Sequence, residues 1–177
     1  MEVPVSEAQH VAEATPSRSS TARALRERRK EFRYPTQDPV EINTQPPQGR
    51  PIPATVLDVS KSGMRVELTR PLSRCSRIEV LIPASKLVIF GEVRYCRRAD
   101  AGFHVGIRIE DVIRPTPYPW QHLHEDEISL FIVGKGLTTA EVFRVEDHLS
   151  QCSACSGIVT STAAALYQAV RRFAPRR

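Results

Sequence analysis

From Val40 to Glu110, apolar and polar residues trade places every second position in short runs separated by chain breakers. This pattern constrains the fold more than any other feature of the sequence. Met64, Val66 and Leu68 alternate with Arg65, Glu67 and Thr69, and Phe103, Val105, Ile107 and Ile109 alternate with His104, Gly106 and Arg108. In a longer run, Leu87, Ile89, Val93 and Tyr95 are expected on one face. Successive strand side chains point to opposite faces, so a period of two marks half-buried strands, whereas an amphipathic helix repeats every 3.6 residues. Ile52 to Leu57 and Arg77 to Ile82 are further strand candidates. The breakers PPQGRP, SKSG, RPLSR, PASK and RADAG recur at the short intervals expected of a small antiparallel barrel or sandwich.

The flanks have a different character. Residues 1–20 are rich in Ser, Ala, Thr and Glu and carry little large apolar content, so they cannot offset the entropy of ordering and are expected to form a mobile tail. TARALRERRKE, residues 21–31, has helix-forming composition but almost no apolar face. RPTPYPW, residues 114–120, holds three prolines in seven residues, which forbids a regular element and suits a semi-rigid linker. Beyond it the period becomes helical. Ile128, Phe131 and Ile132 form a short apolar face stopped by Gly134 and Gly136, Thr138 and Glu141 form a capping box for a second helix, and Ile158 to Val170 suit a third. The expected organisation is a tail over 1–27, a β domain over 28–112, a linker over 113–120 and a helical unit over 121–177.

Composition narrows the setting. The 177 residues are 41% hydrophobic, ordinary for a globular chain, and no apolar run approaches the roughly 20 residues that span a bilayer. MEVPVSEAQH has acids and an early proline where a secretory signal would have a basic start and an apolar core, so a cytoplasmic location is expected. The net charge of +5 is concentrated in arginines at 23–33, 94–98 and the terminal RRFAPRR, which favours an anionic partner. Cys75 and Cys96 are expected in strands as barrel thiols, whereas the close pair Cys152 and Cys155 has metal or redox spacing.

Two constellations carry chemistry. In the first, Arg28-Arg29-Lys30-Glu31-Phe32-Arg33 puts Arg29 and Arg33 four residues apart, just before Tyr34-Pro35 turns the chain extended. About twenty-five residues later, Asp58-Val59-Ser60-Lys61-Ser62-Gly63 lies between two predicted strands. Separately, each motif has an ordinary explanation: a chance spacing, and a turn in which Asp and Ser satisfy backbone groups while Gly supplies positive φ. Their order and separation, with a late strand of the type Phe103-His104-Val105-Gly106-Ile107, resemble the PilZ family over roughly residues 28–112. The resemblance implies a six-stranded antiparallel barrel that binds cyclic di-GMP, with Arg29, Arg33, Asp58, Ser60 and Gly63 as site residues and Arg28 as a helper. The residue types fit. A guanidinium fork takes a phosphate oxygen pair or the O6 and N7 edge of guanine, and a carboxylate accepts from guanine N1 and N2.

In the second, His148, Cys152 and Cys155 stand at i, i+4 and i+7, within an arc of about 60° on one continuous helix. A tetrahedral ion needs a fourth donor, and His122 and His124 lie upstream. A dithiol of the thioredoxin type belongs at a helix start after a strand, and no strand is expected there. The H-x-x-x-C-x-x-C motif, with a histidine 26 residues earlier, resembles the zinc-binding anti-sigma factor domain. That implies structural zinc held by His148, Cys152, Cys155 and, better than His124, His122.

The whole reads as mainly β, a small barrel followed by a zinc-binding helical module. The expected function is a non-enzymatic cyclic di-GMP receptor or adaptor that passes ligand binding to a protein partner, with a sigma factor as the partner class implied by analogy. The rival reading is a zinc regulatory protein contacting nucleic acid or a sigma factor, with a barrel that no longer binds nucleotide. Aromatics at 6%, with no stripe of aromatic and basic residues for stacking bases, count against nucleic acid.

Overall fold

A computed structural model describes residues 31–47, 49–114 and 121–173. Strands β2 (Pro39–Gln45), β3 (Ile52–Ser60), β4 (Gly63–Leu68), β5 (Arg77–Ile82), β6 (Leu87–Ala99) and β7 (Gly102–Ile113) pair antiparallel in the order β3-β2-β5-β6-β7-β4. β4 then pairs back onto β3, which closes a six-stranded barrel. A two-residue strand, β1 (Tyr34–Pro35), lies along the far end of β3, with Tyr34 opposite Val59 and Pro35 opposite Asp58. The alternation that marked the strands also fills the barrel. Ile42, Val56, Met64, Val66, Ile78, Val80, Ile89, Val93 and Val105 are fully buried inside it, each stabilising the fold by about 1.5–3 kcal/mol relative to exposure.

Two sequence expectations fail locally. Tyr95 does not share the inner face with Val93, because the β6–β7 register shifts at Arg94. The extra residue turns Tyr95 outward and lets Cys96 pack against the core. There the Tyr95 ring covers Gly106, where a Cβ would meet it at 2.1 Å, and Arg97 stacks over it at 5.2 Å. Cys75 is not in a strand either. It is exposed in the turn before β5, with φ of 62°.

Three helices follow, α1 (Glu125–Val133), α2 (Thr139–Gln151) and α3 (Ser153–Phe173). Gly134, left-handed at φ 76°, ends α1. Thr138 caps α2 as its spacing with Glu141 predicts: the Glu141 carboxylate accepts from the Thr138 N–H at 2.8 Å, and the Glu141 N–H donates to the Thr138 hydroxyl at 3.3 Å. Barrel and helices belong to one compact unit, Glu31–Arg177. Leu137, Val142 and Phe143 join the barrel's own hydrophobic cluster, while Leu123, Ile128, Val145 and Cys155 form a smaller second one. The outer part of α3 leaves Ile158, Leu166, Tyr167 and Val170 exposed. Among the described residues no helix is long and apolar enough to cross a membrane. The tail over 1–27 and Pro115 to Trp120 of the linker lie outside the described residues.

Candidate functional site

The Asp58 motif lies where β3 turns into β4. Ser60 and Gly63 are cross-strand partners, the Ser60 hydroxyl donates to the Gly63 carbonyl at 3.2 Å, and the Ile109 N–H donates to the Ser62 carbonyl. A β-bulge between Val56 and Asp58 resets the alternation just before the motif. Val59 is therefore buried opposite Met64, while Asp58 stands opposite Arg65 on the outer face. Asp58 is 8% exposed, and its two oxygens accept from two guanidiniums: Arg33 Nη1 to Oδ1 and Arg65 Nη2 to Oδ2, each at 2.6 Å. A Cβ on Gly63 would lie 3.0 Å from Arg33 Nη2 and 3.1 Å from the Ile107 carbonyl, so glycine keeps room for the guanidinium. Glu31, two residues before Arg33, accepts from both the N–H (3.1 Å) and the hydroxyl (2.7 Å) of Ser62. Those hydrogen bonds to Ser62 hold its carboxyl below the usual range.

A family model described as the PilZ domain matches residues 27–123, more than half of the chain. The chain belongs to the PilZ family. A search of curated proteins finds no match. PilZ domains are in general receptors for cyclic di-GMP and are typically non-enzymatic.

Of the PilZ residues expected from sequence, the structure brings Arg33, Asp58, Ser60 and Gly63 together around one turn. Arg28 and Arg29 lie outside the described residues. Sequence reasoning missed Arg65, although the signal was present. Pairing Ser60 with Gly63 across a two-residue hairpin and counting back puts Asp58 opposite Arg65. Helix α2 also borders the site: a cavity of about 250 Å³ is lined in part by Lys61, Ile109, Arg114, Phe143, Glu146 and Asp147. Burial raises the Glu146 carboxyl to about 7, with Glu31 adding to the effect, and Arg114 Nη1 pairs with Asp147 at 2.9 Å.

The second constellation assembles differently from its expected form. The three ligand types do not lie on one helix: α2 ends at Gln151, Cys152 adopts extended backbone angles of −108° and 101°, and α3 starts at Ser153. The break still gathers the donors. One ligand atom from each of His122, His148, Cys152 and Cys155 lies within 4.8 Å of all the others. Cys152 Sγ and Cys155 Sγ are each 3.4 Å from His122 Nδ1, close to the roughly 3.3–3.8 Å that separates donors bound to one tetrahedral ion. His148 Nε2 is buried and has no hydrogen-bond partner among the described residues, as expected of an atom kept for a metal. The Cys155 backbone N–H, at the start of α3, lowers the Cys152 thiol pKa toward the thiolate that a metal requires. His124 is instead the N-cap of α1, its N–H donating to Glu127 Oε2 at 2.9 Å. The four residues thus form a His2Cys2 cluster able to hold a metal ion.

Proposed function

We propose that the protein is a cyclic di-GMP receptor in the cytoplasm that relays ligand binding to a protein partner through a zinc-stabilised helical unit. The observation that carries the nucleotide assignment is the Asp58 carboxylate bridging Arg33 and Arg65 beside the Ser60–Gly63 turn. A guanidinium has five donors, and Asp58 engages only some of them. Arg65 Nε is buried, and the remaining Nη donors of the two forks are the ones offered to the two phosphates or to the guanine O6 and N7 edge. Asp58 supplies the acceptor for guanine N1 and N2, Ser60 a donor, and Gly63 the close approach. Arg29, with Arg28 as helper, completes the arginine set.

Two imidazoles and two thiolates suit zinc by softness and by coordination number, and four protein donors close the site, so the ion is structural. Zinc supplies cross-linking of the loop at His122, the end of α2 and the start of α3. The protein's own residues supply the rest: Leu123, Ile128 and Val145 pack around the buried Cys155, while His122 stays at the exposed side of the cluster. The exposed apolar side chains of α3 support a protein partner, and the H-x-x-x-C-x-x-C resemblance suggests a sigma factor as its class.

The test is calorimetric titration with cyclic di-GMP on wild type and on Arg29→Ala, Arg33→Ala and Asp58→Ala. Saturable heat in wild type, lost in the variants, is expected; folded wild type without saturable heat would overturn the nucleotide assignment. Metal analysis of protein purified without chelator should find about one equivalent of zinc, and less than about half an equivalent would overturn four-ligand coordination.

A further inference from the structure

The segment that carries Arg33 has two faces, and they are engaged by two different parts of the molecule. Glu31 and Arg33 reach the Asp58 turn, through Ser62 and Asp58 respectively. The alternate residues Phe32, Tyr34, Thr36 and Asp38 meet the helical unit. Phe32 lies over Gly134, where a Cβ would meet its ring at 2.4 Å. Tyr34, 5% exposed, stacks on Phe131 with ring centroids 4.9 Å apart and 24° between planes. The buried hydroxyls of Thr36 and Thr139 are 3.2 Å apart, and Asp38 Oδ2 accepts from the Thr139 N–H at 2.6 Å. An extended chain puts successive side chains on opposite sides, so fixing Phe32, Tyr34, Thr36 and Asp38 on the helices also fixes which way Arg33 points.

Phe131 joins this clamp to the metal cluster. It packs against the barrel core and also against the second cluster, which contains the metal donor Cys155. From these contacts we infer that the helical unit is a positioning element of the nucleotide site. Through Phe131, Gly134 and Thr139 it holds Arg33 across the Asp58 turn, so that metal at His122, His148, Cys152 and Cys155 tightens cyclic di-GMP binding and the nucleotide tightens the metal in return. This rests on the reading that the two sites take cyclic di-GMP and zinc. The sign follows from the arrangement: the clamped segment already has Arg33 on Asp58 and Glu31 on Ser62, so the clamp preorganises the site. The coupling must be reciprocal because both ligands bias one docked arrangement.

The test measures zinc affinity of the full chain against a chromophoric chelator, with and without saturating cyclic di-GMP. Zinc should bind on the order of tenfold more tightly with the nucleotide present. Phe131→Leu keeps apolar bulk but removes the ring stack, and Thr139→Val removes the hydroxyl contact with Thr36; each should bring the factor toward one while zinc stoichiometry stays at one equivalent. Having two variants protects the test should one of them fail to fold. Equal or weaker zinc affinity with nucleotide bound, or an unchanged factor in the folded variants, overturns the coupling alone. A wild type that binds no cyclic di-GMP overturns the nucleotide reading and the coupling with it.

Discussion

At the barrel site the donors arrive on paired backbone. Arg65 and Asp58 are cross-strand neighbours, and Arg33 sits beside β1, which is itself paired to β3. At the metal cluster they arrive from a stretch ahead of α1, from the end of α2 and from the start of α3, next to a small cluster whose buried members among the described residues are Leu123, Ile128, Val145 and Cys155. Asp58, Ser60, Gly63 and Arg65 of the first site are held in shape by a sheet that would exist without any ligand, and only Arg33 also leans on the helices. The second gathers three chain segments with little apolar area to hold them, so its order depends on what it binds. Binding a nucleotide should therefore change the barrel little, whereas losing the metal should change the helices greatly.

The largest effect should follow removal of metal. Zinc binding contributes on the order of ten kcal/mol in small zinc-finger peptides. Chelation, or Cys155→Ser, should strip hydrogen-exchange protection from α3. Amides around Val142 and Phe143, whose side chains share the barrel's cluster, should remain protected. Unchanged α3 protection would erase the contrast between the two sites.

Next in size is Asp58→Ala, which leaves two guanidiniums facing each other without their acceptor. Charge-assisted bonds contribute about 1.5–3 kcal/mol each, less where solvent screens them, so calorimetry should show cyclic di-GMP affinity falling by about a hundredfold. Zinc content should not change, and a parallel loss of zinc would mean that the two sites are not separate constructions. Gly63→Ala presses a methyl against Arg33 and the Ile107 carbonyl. It should weaken nucleotide binding by about tenfold and lower stability by about 1 kcal/mol, read by titration and thermal melting. Arg65→Lys keeps the charge but loses the planar fork, so a loss of only a few-fold is expected for this partly exposed pair.

The smallest effect is acid sensitivity at Glu31. Its folded-state pKa is depressed, so the tether to Ser62 contributes at neutral pH and is lost as pH falls through that lowered value. The stability difference between wild type and Glu31→Gln should be small near neutrality, because Glu31 is exposed, and should vanish on acidification. A difference that grows in acid would show that the tether does not depend on the ionised carboxylate.

Much of the fold was legible because burial enforces a strict period. The strand at Arg77–Ile82, the start of β3 at Ile52, the stop at Gly134 and the cap at Thr138 all follow from local pattern and turn chemistry. Cys75 falls in a turn ahead of β5, and the other errors come from single residues at which the period breaks. A bulge at Arg94 reversed the facing of Tyr95, and a break at Cys152 put His148 and Cys155, expected on one helical face, on two successive helices. A period carried across such a point changes phase without any change in composition, so pattern alone does not reveal it.

The sequence by itself determined a set of alternating strands fit for a small antiparallel barrel or sandwich, a turn carrying Asp58, Ser60 and Gly63, and a set of histidine and cysteine donors at metal spacing. Only the tertiary structure decided that His122 and not His124 faces the cysteines, that Arg33 reaches Asp58, and that the segment bearing Arg33 is clamped between barrel and helices. The physical reason is the range of the interactions. Periodicity and capping act over a few residues, whereas these contacts join groups about 25 to 100 positions apart, and packing must first bring such groups together.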